Sequence, residues 1–250
     1  MPNQLDGARL KVIRAQEHID SLKDEIAVYL NARPWVIGTQ QYDDAAVPAP
    51  IITVPPPLRL STIVGDCVTN IRAALDYIVW ELAQRYFSPA FNQTSGNDRR
   101  ITSFPIAGAP GEPGYVDRLD RLTKRGIPTS AIDEIKVVQP HNRGYESLLL
   151  LHKLVNTDKH RMPILTLAYV PFFAFSVDGA GRVQPIAHWG PDRKTIPTPA
   201  ELEAMHMEHR ASVTVTFQDK TMPREPVDRT LEDIIKTIAD IIPRFEQFFA

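Results

Sequence analysis

The sequence predicts an α+β fold: a mainly helical bundle with a small antiparallel β-sheet inserted before the C-terminal helix. Three observations carry that expectation. Apolar residues recur at 3,4 spacing at both ends of the chain, a second amphipathic helix follows a proline-rich stretch, and from residue 164 the pattern changes to β-branched and aromatic runs around turn residues. A single domain is expected over residues 1–250, with residues 1–163 helical, residues 164–225 β-rich and a closing helix over 228–250.

The first helix, over residues 4–31, carries Leu5, Ala8, Val12, Ala15, Ile19, Leu22, Ile26 and Tyr29, a heptad seam closed by Pro34. Ala8 and Ala15 make the seam thin, which favours an antiparallel bundle over a dimeric coiled coil; a homodimer through the heptad helices is the alternative use. The run VPAPIITVPPP then predicts a rigid extended connection. Over 61–86, Val64, Cys67, Val68, Ile71, Leu75, Ile78 and Leu82 share one helical face.

FSPAFNQTSGNDRR predicts a loop, SFPI a short extended piece, and YVDRLDRL and SAIDEIKVV short helices, the latter with Ser130 and Asp133 at capping-box spacing. A helix over 144–161 ends before Pro163. ILTLAYVPFFAFSV, the turn DGAG, RVQPIAHW and SVTVTF suggest an antiparallel sheet. The last helix, 230–249, repeats the 3,4 spacing through Leu231, Ile234, Ile238, Ile241, Phe245 and Phe248, and Pro243 should bend it. The two heptad helices could lie side by side.

Composition limits the function classes. With 28 basic and 30 acidic residues, no global field marks a nucleic acid or an anionic membrane as partner. The single cysteine, Cys67, excludes an internal disulfide and a multi-cysteine zinc site, and its place in the apolar stripe reads as inert core. A charged N-terminal stretch and apolar windows too short to span a bilayer lead to the expectation of a soluble, cytoplasmic protein. No Walker or dinucleotide loop, nucleophile elbow or HExxH motif is present.

The candidate site lies on two helices. On the second, Arg72 and Asp76 sit one turn apart on one flank, and Asp66, Asn70, Tyr77 and Glu81 gather on the other. In LLLLHKLVNTDKHRMP a run of leucines gives way to polar chemistry: His152, Asn156 and His160 recur every four residues, with Asp158, Lys159 and Arg161 around the helix end. His152 directly follows the leucines, so partial burial and a hydrogen-bond partner are expected. As metal ligands, His152 and His160 lie about 12 Å apart along the axis at roughly 1.5 Å per residue, too far to share one ion. Either histidine could still join a carboxylate and an amide as a metal ligand, but no metal or cofactor is assigned. His160, His152 and Asp76 are the catalytic candidates, with His160 as general acid or base. Asn70, Arg72, Tyr77, Asn156, Asp158, Lys159 and Arg161 are the ligand-binding candidates. The plainer account is that Arg72 and Asp76 form a surface ion pair and that the cations after His152 meet the negative end of the helix dipole.

These residues resemble a family of bacterial proteins sharing a G-D-x3-N-x-R-x2-L-D-[HY] pattern, then F-P-I, then a leucine-rich helix closed by D-K-H-R. Here they are GDCVTNIRAALDY, SFPI and LLLLHKLVNTDKHR, and the resemblance covers roughly residues 5–165. It implies recurrence of these residues and no particular reaction. Arg72, the four residues AALD and then Tyr77 are also similar to the Arg-His spacing of HEPN ribonucleases, helical domains that cleave RNA without metal. Tyr77 stands where those enzymes have histidine, so His152 or His160 would have to supply the imidazole.

Together these readings lead to the expectation of a polar pocket between two helices that binds an anionic small molecule or RNA and is suited to hydrolysis. The alternative is a non-enzymatic interaction or scaffold protein whose polar cluster is a structural hydrogen-bond network.

Overall fold

A computed structural model describes residues 4–42, 45–87, 101–177, 183–189, 208–219, 221–222 and 225–250. In chain order the elements are α1 (Asp6–Asn31), β1 (Trp35–Tyr42), β2 (Ala45–Ile52), α2 (Leu58–Tyr86), α3 (Pro113–Lys124), α4 (Thr129–Val137), α5 (Ser147–His160), β3 (Leu165–Val177), β4 (Val183–Trp189), β5 (Glu208–Phe217) and α6 (Val227–Ile241), followed by a 3-10 helix, Ile242–Phe248. The fold is α+β and mainly helical, with antiparallel β-structure before the closing helix. The chain divides into two compact units. One comprises Met1–Asp24, Arg59–Pro163 and Val227–Ala250, the other Glu25–Leu58 and Ile164–Pro226.

In the helical unit, Ile19, Leu22, Ile71, Leu75, Ile78, Leu82, Phe104, Leu122 and Phe245 are fully buried. The seam of α1 is used here: Leu5, Ala8, Ala15, Ile19 and Leu22 are buried, with Val12 half-buried. Lys23 pairs with Glu232 and Arg9 with Glu246, so α1 and the closing segment run antiparallel, side by side. Pairs this exposed contribute about 0–1 kcal/mol each, so buried apolar area holds the helices together and the ions set register.

Pro243 does more than bend the last helix. Regular α-structure stops at Ile241, and the proline occupies the first turn of the 3-10 segment, where its missing N–H leaves no bond unmade. Arg85 donates to the carbonyls of Phe249 and Ala250 at 3.1 Å each, and the Tyr86 hydroxyl donates to Phe248 O at 2.8 Å. After α3 the chain turns through Gly126, whose φ is +109° and where a β-carbon would stand 2.6 Å from Tyr86 O. Both facts require glycine.

Two local expectations need correction. The capping box at Ser130 and Asp133 is absent: Pro128 precedes the first turn of α4 without a side-chain cap, and Asp133 instead pairs with Lys136 at 2.8 Å. Proline supplies the helical φ for entry and lacks the N–H a cap would serve. The proline-rich run is likewise more than a connection. Trp35–Tyr42 and Ala45–Ile52 form an antiparallel hairpin, and α2 starts directly behind it at Leu58. Pro48 and Pro50 face Thr39 and Ile37 in register. Two residues apart on a two-stranded ribbon, they can both turn their missing donors to the free edge.

The second unit also contains a three-stranded sheet in the order β4-β3-β5, with a register shift between Val170 and Phe173, where Pro171 lies. The Tyr29 hydroxyl donates to Val54 O at 2.7 Å, tying the start of this unit together. The DGAG turn and the loop after residue 87 lie outside the described residues. Gly126→Ala is expected to cost roughly 1–3 kcal/mol through left-handed strain and the clash with Tyr86 O, measured by urea unfolding.

Candidate functional site

Each flank of α2 has a distinct partner. On one flank, Asp76 Oδ1 accepts the Phe104 N–H at 2.8 Å, while Arg72 Nη2 donates to Phe104 O at 2.5 Å and lies 2.9 Å from Asp76 Oδ1. The pair therefore grips both backbone groups of one residue. From the opposite side Gln139, fully buried, donates to Pro105 O and accepts from the Ala107 N–H, at 2.9 and 3.0 Å. The SFPI segment carries no regular secondary structure, yet its backbone is buried and needs partners. Arg72, Asp76 and Gln139 supply them, and the Phe104 ring, fully buried, meets Phe245 edge-on at 6.3 Å. Desolvation raises the Asp76 pKa from its ordinary value, against the Arg72 charge and the Phe104 amide, which favour the anion.

The other flank faces α1. Lys11 Nζ donates to Asn70 Oδ1 at 3.1 Å, Asn70 Nδ2 donates to Asp66 O at 2.9 Å, and a β-carbon at Gly7 would come within 2.9 Å of the Tyr77 ring. Gly65 plays the matching role toward α5. A β-carbon there would overlap the Asp158 carboxylate, so the missing side chain lets Asp158 lie directly on α2. Burial, and next the charge of Asp66, raise the Asp158 pKa. Cys67 is buried, with its Sγ 3.6 Å from Ala15 O, and burial pushes its thiol up to about 12, so it is inert.

α5 turns Leu148, Leu151, Leu154 and Val155 inward. Its outer face lines an open groove of about 580 Å³, formed by Leu149, His152, Lys153, Asn156, Thr157, His160 and Arg161. No acidic side chain is among these lining residues. Asn156 Nδ2 lies 3.0 Å from His152 Nε2, the geometry of an amide proton given to a neutral ring whose own proton sits on Nδ1. Desolvation, then the charges of Arg72 and Lys159, hold the His152 pKa below the ordinary imidazole value; Glu112 opposes them and Arg118 adds to them. Positive charge thus reaches this ring from α2, α3 and α5.

The predicted site residues therefore separate into two groups. His152, Asn156, His160 and Arg161 share the groove. Arg72 and Asp76 hold the 104 backbone, Asn70 and Tyr77 meet α1, and Asp158 lies against Gly65. Lys159 is exposed beside the groove, and its charge acts on both His152 and Asp76. His152 is exposed at the surface rather than sunk among the leucines, and its partner is the amide of Asn156. The HEPN-like register, Arg72 to Tyr77, supplies no lining residue. Among the described residues, no three of His, Cys, Asp and Glu come together as metal ligands, and no helix is long and apolar enough to cross a membrane.

Sequence reasoning missed Lys153 and Thr157, and above all Arg118. The last is half-buried on α3, donating to Ser103 O at a long 3.5 Å, with its pKa lowered by burial and then by Arg72. An arginine beside Leu119 and three residues from Tyr115, on the buried face of a short helix, was the available signal. No protein-family model matches the chain, and neither a curated protein nor a solved structure shows significant similarity to it.

Two outcomes are expected. Gly65→Ala should destabilise by about 1–3 kcal/mol through overpacking, and Asp158→Ala in the same chain should recover some of the loss, tested in a double-mutant unfolding cycle. A His152 pKa lowered in the folded state means that the unfolded chain binds this proton first. Its contribution to stability is therefore kept above the ordinary value of 6.5 and lost as pH falls through 6.5 to the folded value. NMR titration of the ring should show the depressed pKa, and Arg118→Gln should move it upward.

Proposed function

We propose that the outer groove of α5 binds an anionic, phosphate-bearing ligand. The observation that carries this reading is the convergence of Arg72, Arg118 and Lys159, against the single carboxylate of Glu112, on an imidazole in a groove whose lining side chains include two cations and no acid. Repulsion among these cations is relieved when an anion enters, which gives binding its driving force. Lys153 and Arg161 offer charged donors to the ligand, while Thr157 and Asn156 offer neutral ones. His160, which lines the same groove, is the group suited to proton transfer, while His152, neutral and oriented by Asn156, presents its Nδ1–H to the ligand and the nearby cations stabilise developing negative charge. Hydrolysis of a phosphate ester is the reaction class these groups suit.

A second reading has its own support. The grip of Arg72 and Asp76 on Phe104 is a structural network, as expected of a scaffold protein, and it requires no ligand. Both readings hold together if the network supports α2 while the groove does the binding.

Calorimetric titration with inorganic phosphate at low salt tests the binding reading. Saturable binding is expected, and Lys153→Gln with Arg161→Gln should weaken it at least tenfold, about 1.4 kcal/mol, with an unchanged melting temperature. Absence of saturable binding, or indifference to this double variant, overturns it. For the network, Arg72→Met should cost about 2 kcal/mol or more, since it removes charged hydrogen bonds and strands a buried carbonyl.

A further inference from the structure

The groove is graded along its length. At one end stand Thr157, His160 and Arg161, with Lys153 one turn further in; at the other stands Leu149, an apolar side chain 49% exposed. Beside Leu149 lies Gly108, where a β-carbon would come 3.7 Å from Leu149 Cδ1. Glu112 Oε1 lies nearer still, 3.2 Å from that position, so a carboxylate borders the apolar end while the Leu149 side chain itself stays exposed. At about 1.5 Å per residue, Leu149 and Thr157 are roughly 12 Å apart along the axis, more than a bare phosphate ion can span.

Resting on the anion-binding reading above, we infer that the natural ligand is an amphipathic phosphate monoester. Its phosphate lies between Lys153, Thr157 and the long side chain of Arg161, within reach of His152, and its compact apolar or aromatic body covers Leu149. The charge balance selects the monoester. The lining contains two fixed cations, Lys153 and Arg161, and no carboxylate, while around His152 the charges of Lys159, Arg118 and the Asp76-paired Arg72 outnumber the one carboxylate, Glu112, that opposes them. A dianionic terminal phosphate offsets more of this charge than the single negative charge of a phosphodiester or a carboxylate. The Nδ1–H of His152, left free by the Asn156 bond to Nε2, is a neutral donor to an ester oxygen.

The test compares inorganic phosphate, 1-naphthyl phosphate and 1-naphthol on the full chain by calorimetry at fixed pH and low salt. Naphthyl phosphate is expected to bind at least tenfold more tightly than inorganic phosphate, and naphthol far more weakly than the ester. Leu149→Gln, at an exposed helix position, should close most of the gap between ester and phosphate. Equal affinity for ester and phosphate overturns the inference while leaving the anion-binding reading intact. A gap that survives Leu149→Gln also overturns it, because the body then lies elsewhere. If inorganic phosphate does not bind saturably, the anion-binding reading itself fails, whatever the ester does.

Discussion

The helical unit depends on satisfying the backbone of one extended segment. SFPI runs through the interior without a helix or sheet ladder, so its N–H and C=O groups must find side chains or remain stranded at about 1–3 kcal/mol each. Arg72 and Asp76 reach it from α2, Gln139 reaches it from beyond α4, and the Phe104 ring then packs against Phe245 of the closing segment. One short stretch thereby joins the second helix, the fourth helix and the C-terminal 3-10 helix. Charged groups suit α2's side of the task because the guanidinium and the carboxylate compensate each other while each binds the backbone.

That arrangement also shapes the electrostatics nearby. Asp76 is shared between Arg72 and the Phe104 amide, so it cannot fully neutralise a second arginine, and Arg118 lies within reach of the same pair. The surplus positive charge is felt at His152, one helix away. A cluster built to fix a loop thus leaves a field on a surface groove. The network and the candidate site are one electrostatic system, and a change at position 72 affects both.

α5 displays the same division of labour along its own axis. Its leucine face is core, Asp158 docks into the space left by Gly65, and the opposite face lines the groove. The D-K-H-R ending therefore serves two neighbours at once: the aspartate serves packing, whereas the histidine and the arginine serve the open side. Successive residues on a helix point about 100° apart, so adjacent polar letters separate in space.

Much of the fold was legible from periodicity. The α1 seam, the apolar face of α2, the leucine run of α5 and the β-rich stretch before the closing helix follow from spacing and propensity, which are local properties. The hairpin over 35–52 escaped because proline masks strand propensity unless the free edge is known, and the cap of α4 escaped because proline did what a side-chain cap would have done. Of the site, the residue types were visible and their neighbours were not. No spacing rule connects Arg72 to Phe104, Asp158 to Gly65 or Arg118 to His152, since these meetings depend on how separate helices pack. The sequence by itself determined which faces are apolar and where chemistry is concentrated. Only the tertiary structure decided which polar groups are used up inside and which remain for a ligand, because a hydrogen bond committed to a buried backbone cannot also serve a ligand.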